Sequence, residues 1–474
     1  MQKIIIKNFG AIKYAEIEIK KVLVLIGEQA SGKSTIAKLI YFFKTLRDDV
    51  FKSIYQDKVA SNFAQYNNVV IPLTEKFHDF FGLPDNLPDF NIKFYYDIEA
   101  DRYVNLSMYS DYRDNRKLSV NFSDDFFSSS SITIGRIKQF LQERSTANNI
   151  DQLIYEQKKS EYTDRLINEL NNLFNHRQVE LLFIVAGRNI TVRYSEFFEQ
   201  HFFASIEKIL EKNTNIKSQF KEQSVDEFLM SQFIKRVLFI KDVLGVYGSF
   251  KDITSRYQSP ENDKERIKKI IHLVEKKNSE ILKGEYTIDG NHEEKIILSD
   301  KESIFLRHAS SGQQESVRIL QDILFVILKQ SKVFRIVEEP EAHLFPVAQK
   351  SLIELLALMV NQDDDNQLII TTHSPYILSV FNNLLFAQRV VDKNPSANAE
   401  ISELIPKEFW LKAKDFSAYS LGNSSIEEEP KYCESIFNQQ TGAIKQNYLD
   451  AVSEMLGGDF NSLYSVYTKN SRRR

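Results

Sequence analysis

Residues 3 to 7 and 15 to 19 read as the two strands of a half-buried hairpin, with apolar and polar residues in period-two alternation over the second. Val22 to Ile26 then runs apolar without a break, as a strand covered on both faces does. From Ser34 to about Phe51 the period lengthens to that of an amphipathic helix. Alternation returns near Phe90 to Tyr96, Tyr103 to Tyr109 and Leu118 to Phe122, predicting a further small sheet, and serines 128 to 131 read as a loop.

From Thr133 to Lys283 the chain reads as a mostly helical insertion rich in Lys, Glu, Asn and Phe. It lacks sustained apolar heptads, so a lid or short arm is expected rather than a long coiled coil. Strands resume near Lys295 to Leu298 and Ile304 to Leu306. Two more, Val333 to Val337 and Gln367 to Thr371, each lead into a turn and a helix, which predicts an α/β class with a mostly parallel central sheet. Asp363 to Asp365 reads as a solvated acidic turn. The tail from Phe409 to Tyr467 alternates helical patches, with Leu449 to Leu456 amphipathic, as a docking or oligomerisation element would.

At 474 residues, 42% hydrophobic, the chain can bury a large core plus a smaller second lobe. Its apolar runs fall far short of the roughly 20 residues of a membrane helix, and the start lacks the apolar stretch of a secretory signal, so a cytoplasmic protein without a membrane span is expected. One cysteine, Cys433, excludes an internal disulfide, and the eight histidines show no HExxH spacing. With 61 basic and 65 acidic residues the net charge is −4, which argues against an overall polycation, and the Arg472 to Arg474 tail reads as a solvated terminus.

The candidate chemistry lies at the strand ends. Gly27-Glu28-Gln29-Ala30-Ser31-Gly32-Lys33-Ser34 fits GxxxxGK[ST] between a buried strand and a helix, the setting in which backbone amides cradle phosphates. Gly27, Gln29, Ala30, Ser31, Gly32, Lys33, Ser34 and Thr35 are the expected nucleotide-binding residues, with Lys33 on the β- and γ-phosphates and Ser34 on Mg²⁺. Ile336-Val337-Glu338-Glu339-Pro340-Glu341-Ala342-His343-Leu344 sets carboxylates at a strand's carboxyl end, where α/β sheets hold ligands. Glu338 is expected near Mg²⁺ through water, and Glu339 as the general base that polarises the attacking water.

Ala309-Ser310-Ser311-Gly312-Gln313-Gln314-Glu315 opens a helix and is either a plain N-cap or an anion site. Leu368 to Pro375 is a buried strand ending in His373, a candidate γ-phosphate sensor. Phe183 to Asn189 contains Arg188, a candidate nucleotide or interface contact with a surface arginine as the alternative.

Taken in order, with the opening Ile-Ile-Ile-Lys-Asn-Phe-Gly-Ala-Ile, these motifs resemble the SMC/OLD-like ABC ATPases, in particular the stand-alone ATPase subunits of the Septu and PARIS anti-phage systems. The acidic motif departs from the family in having Glu338 where Asp is usual, the Phe183 segment lacks the proline of its PAxR counterpart, and no Q-loop glutamine can be placed. The resemblance implies an ABC-ATPase head with an antiparallel β-lobe and a helical insertion. It divides the chain into an N-terminal ATPase half (1–125), an insertion (126–285), a C-terminal ATPase half (286–400) and a helical docking tail (401–474).

It also implies ATP and Mg²⁺ as ligands and a homodimer or larger homo-oligomer, in which Ser310, Ser311, Gly312 and Gln313 complete the partner's site. A separate effector, an HNH or TOPRIM nuclease, and a DNA or phage-derived trigger follow from the same resemblance. Residues 374 to 474 contain no DxD, so nuclease chemistry is expected on another chain. The alternatives are a DNA repair or recombination ATPase that clamps DNA as an ATP-dependent dimer and, less favoured by the large insertion, a transporter ATPase.

Overall fold

A computed structural model describes residues 1–56, 67–82, 87–110, 116–124, 126, 134–137, 140, 149–175, 179–193, 225–256, 264–290, 293–422 and 432–445. The elements in chain order are β1 (Gln2–Phe9), β2 (Ile12–Ile19), β3 (Val22–Gly27), α1 (Lys33–Gln56), α2 (Asn67–Phe81), β4 (Asn91–Asp97), β5 (Arg102–Ser110) and β6 (Arg116–Phe122). Next come α3 (Asn149–Leu173), β7 (Glu180–Ile184), α4 (Val225–Tyr247), α5 (Phe250–Arg256), α6 (Lys264–Leu282), β8 (Glu285–Ile288), β9 (Glu294–Ser299) and β10 (Glu302–Phe305). Then follow α7 (Ser311–Lys329), β11 (Val333–Glu338), α8 (Pro346–Val360), β12 (Gln367–Thr372), α9 (Pro375–Lys393), β13 (Phe416–Leu421) and β14 (Cys433–Ser435).

The central sheet has the order β14-β13-β3-β12-β11-β7. Five strands run parallel and β14 is the antiparallel edge. Every residue of β11 and β13 is buried, as are most of β3 and β12, because helices cover the sheet. Helix α1 packs on β3, β11 and β12, while α8 packs on β12 and against α6, α7 and α9. No helix among the described residues is long and apolar enough to cross a membrane.

Three expectations are corrected. Strands β4, β5 and β6 do not form a separate small sheet: β4 pairs with β1, giving one antiparallel sheet of order β2-β1-β4-β5-β6. Period-two alternation shows that a strand is half-buried and leaves its partner open, so register across the 80-odd residues between these strands was invisible. The 126–285 segment is not all insertion, since β7 is an edge strand of the central sheet, with Phe183 paired to Ile336. The 401–474 segment is not all helical docking tail: β13 lies beside β3, with Ala418 paired to Val24. Serines 128 to 131 and Leu449 to Leu456 lie outside the described residues.

The Asp363 to Asp365 turn is tied to the sheet, with Lys332 Nζ 2.5 Å from Asp365 Oδ2 and Lys21 Nζ 3.7 Å from Asp364 Oδ1. Within β11, the fully buried Arg335 donates to Asp322 of α7 at 2.7 Å and to Glu180 of β7 at 2.8 Å. Arg236 of α4 donates to the other Asp322 oxygen at 2.7 Å. Burial pushes the Asp322 carboxyl up, but Arg335 and Arg236 outweigh it and hold the group below its ordinary value. These ion pairs join the sheet to helices of both halves of the chain.

Candidate nucleotide site

The parallel register brings the separate motifs to one edge. Ile26 pairs with Thr372, and Glu338 pairs with Thr371, so the carboxyl ends of β3, β12 and β11 lie side by side. The loop after β3 turns sharply into α1. Gly27 has φ +158°, and a Cβ there would lie 2.2 Å from the Leu421 carbonyl oxygen of β13. Gly32 has φ +81°, and its Cβ would lie 2.7 Å from Ile12 Cγ1. Both positions thus demand glycine on steric grounds. Ala30 also adopts a left-handed conformation, φ +59°, at a cost on the order of 1 kcal/mol.

Lys33 is 5% exposed and donates to the carbonyls of Gly27 and Glu28 at 2.9 and 2.7 Å. Burial lowers its pKa, while the Glu339 and Glu341 charges oppose that shift. Gln29 and Ala30 are exposed, Ser31 is buried, and Gly32, Ser34 and Thr35 are half-buried on the same turn.

Glu338 ends β11 and Glu339 follows it, and the two have different environments. Glu338 is 7% exposed; its Oε2 accepts from the Ala186 amide at 3.3 Å, and its Oε1 has no protein partner. The buried Thr371 hydroxyl next to it is also without a partner. A buried carboxylate oxygen and hydroxyl left unpaired at a phosphate loop fit a hydrated Mg²⁺, and the Glu in place of Asp does not remove that fit. Glu339 is open, and its Oε1 lies 3.4 Å from His373 Nε2. Its φ of +42° is held because its amide donates to the Thr371 carbonyl at 2.9 Å and its carbonyl accepts from Arg188 at 3.1 Å.

Arg188 is the clear departure from expectation. It is fully buried, so it is neither an exposed nucleotide contact nor a surface arginine. Its guanidinium donates to the carbonyls of Val185, Glu315, Glu338 and Glu339 at 2.7 to 3.1 Å, and Glu315 Oε2 lies 3.3 Å away. A buried charge needs such satisfaction. Arg188 therefore positions the acidic motif from behind, a role that a lone arginine in sequence does not announce.

Ser310 is an N-cap in a reciprocal capping box with Gln313, and it is exposed. Ser311 opens α7, and Gln313 Nε2 donates to the Leu282 carbonyl at 2.6 Å. A Cβ on Gly312 would lie 2.6 Å from the His343 carbonyl oxygen, so this helix start packs against the loop after the acidic motif.

Two contributors went unassigned in the sequence. Glu341 Oε1 accepts from Thr372 Oγ1 at 2.6 Å and from the His373 amide at 2.7 Å, fixing the histidine's backbone. It stands inside the acidic motif, where its spacing was visible but not its target. Tyr432, just before β14, donates its hydroxyl to the Ser31 carbonyl at 2.8 Å and so touches the phosphate loop from the far end of the chain. No periodic pattern marks it.

The AAA ATPase domain family model matches residues 1–378, most of the chain, and the protein belongs to that family. No curated protein matches it. Among solved structures it is similar to an SMC head bound to the C-winged helix domain of ScpA, at 12% identity over 80% of this chain and 90% of that one, with a TM-score of 0.33. It is also similar to the SMC head domain from Thermotoga maritima, at 12% identity over 80% and 90%, TM-score 0.30. At such scores the likeness is distant, and the architecture is defined by the chain's own strand order.

Proposed function

We propose that the protein binds and hydrolyses ATP as a homodimer or larger homo-oligomer, and that this cycle switches a separate effector, a nuclease of the HNH or TOPRIM kind, in anti-phage defence. The single observation that carries the ATPase part is the convergence of Lys33, Glu338, Glu339 and His373 at one sheet edge.

Lys33 would exchange its loop carbonyls for phosphate oxygens, while Ser34 and Glu338 would hold a magnesium ion, whose charge would offset that of the phosphates. Glu339, the open carboxylate, takes a proton from water as the water oxygen bonds to the γ-phosphorus and the bond to ADP breaks. His373 sits against Glu339 and reads the same phosphate. Ser310 to Gln313 form a second phosphate contact offered to the partner subunit, supported by their exposed helix start beside the acidic loop. The exposed Phe345 (76%), Val347 (62%) and Tyr376 (56%), which follow the acidic motif and His373, suit a surface that a second copy covers.

The defence role rests on the resemblance of the motif series to the Septu and PARIS ATPases. The test is the mass of the protein expressed with its neighbouring genes, with and without ATP and Mg²⁺. A complex containing a nuclease chain supports the effector switch. A chain that only dimerises with ATP and retains DNA moves the reading to a repair clamp.

A further inference from the structure

At the opposite edge of the central sheet lies a cavity of about 890 Å³ that none of the nucleotide motifs reaches. Its walls come from the starts of β1 and β12, the residues before β3, and the end of α3. Because β3 runs from Val22 at this end to Gly27 at the other, the two sites are separated by roughly 16 Å of strand. The cavity falls in the range of about 300–1,000 Å³ typical of small-molecule sites.

Its chemistry is unlike that of a structural void. Lys44 of α1 lines it, is 1% exposed, and donates to Gln367 Oε1 at 2.5 Å with the Phe334 ring 5.1 Å away. Both neighbours are uncharged, and among the described residues no carboxylate pairs with it. Burial without a counter-charge pushes its pKa down to about 7. Every other fully or nearly buried lysine or arginine of the core named above meets an acid or a row of carbonyls. Lys20, Lys21 and Arg102 bring the basic side chains to four, against Asp364 and Asp365, which are already engaged by Lys21 and Lys332. Arg102 is itself engaged by carbonyls at the end of α3.

Most of the remaining polar wall is amide: Asn168, Asn171, Asn172 and Asn175 line it together with Gln2. Gln2 Nε2 donates to the Asn175 carbonyl at 3.2 Å, Asn171 Oδ1 accepts from Arg47 at 2.9 Å, and Asn175 Nδ2 donates to the Tyr96 carbonyl at 3.2 Å. Gln2 is 6% exposed, and its Oε1 is buried without a partner. Amides present donors and acceptors together, the pairing that reads the edge of a nucleobase. A buried ammonium lacking its anion and a buried acceptor lacking its donor thus face one polar cavity.

We propose that this cavity binds a small phosphate-bearing molecule of nucleotide size, with the phosphate toward Lys44 and the Lys20–Lys21 rim and a base edge against Gln2 and the α3 asparagines. The site is separate from the phosphate loop and stands whether or not the loop hydrolyses ATP. Its occupant would touch the first residues of β12 and the approach to β3, whose far ends carry His373 and the phosphate loop.

The test is equilibrium dialysis of the full chain against AMP, for the wild type and for Lys33→Ala, Lys44→Met and Lys20→Glu, with ATP binding and melting measured alongside. We expect Lys33→Ala to keep one AMP per chain. Lys44→Met should weaken AMP at least tenfold, and Lys20→Glu, at the rim, several-fold without loss of folding. ATP binding at the loop should be unchanged in both. Inorganic phosphate should compete more weakly than AMP, and adenosine should bind more weakly still. The proposal is overturned if Lys33→Ala binds no AMP, if Lys20→Glu folds and binds AMP as the wild type does, or if phosphate or adenosine matches AMP.

Discussion

The two edges of the central sheet each bury a lysine, and they treat it differently. At the carboxyl edge Lys33 is met by loop carbonyls and by the charges of Glu339 and Glu341. At the amino edge Lys44 meets one amide and one aromatic ring. In the first arrangement burial lowers the lysine's pKa and the nearby carboxylates oppose that shift. The second leaves an amine to which the fold alone gives no counter-charge. A buried charge that is answered holds a site together, and one that is unanswered indicates a missing partner.

The largest effect expected at the first edge is on chemistry. Glu339→Gln should slow single-turnover ATP hydrolysis by about 10²–10⁴-fold while leaving ATP affinity near wild type; unchanged turnover would remove the general base. Behind it, Arg188→Met strips the support of the acidic motif and leaves the buried Glu315 charge with only the amides of residues 188 and 189 to answer it. Chemical denaturation should show a loss of about 3–5 kcal/mol, whereas an arginine that touched only nucleotide would leave stability intact.

Lys33→Ala removes charge-assisted bonds to phosphate, and titration calorimetry should show ATP affinity down by roughly 10- to 100-fold. The comparison sharpens if AMP at the opposite edge is then untouched.

Lys44 gives the pH signature. Its folded value of about 7 lies below the ordinary 10.5 of the unfolded chain, so between them the unfolded state holds the extra proton. Stability therefore rises with pH through this window and falls as pH drops back toward 7, by about 1.4 kcal/mol per unit at most. Lys44→Met should flatten that slope in denaturation between pH 8 and 10; an unaltered slope would mean the lysine stays charged inside the fold. The smallest effect is that of Tyr432→Phe, which loses one hydroxyl bond to the phosphate loop and should lower ATP affinity about fivefold, on the order of 1 kcal/mol.

The site's parts were more legible than its arrangement. Glycines at Gly27 and Gly32, Lys33 after them, and paired acids ending an apolar run are local patterns, since the backbone of a phosphate loop and the end of a buried strand impose their requirements within a few residues. Arg188 was visible as a residue but not as a buried one, because burial depends on Glu315 of α7 and on the carbonyls of Glu338 and Glu339 at the end of β11. Tyr432 and Glu341 gain their roles from contacts that no spacing encodes. Lys44 looked like any lysine of an amphipathic helix.

The hairpin, the buried strands, the phosphate loop and the acidic motif follow from local patterns in the chain, because periodicity and steric demand act over short stretches. Only the tertiary structure decided that β4 joins β1, that β7 and β13 enter the central sheet, that Arg188 lies under the acidic motif, and that Lys44 faces a polar cavity. Those outcomes depend on which faces meet across long loops, and that choice is made by burying all the apolar faces at once rather than by any segment alone.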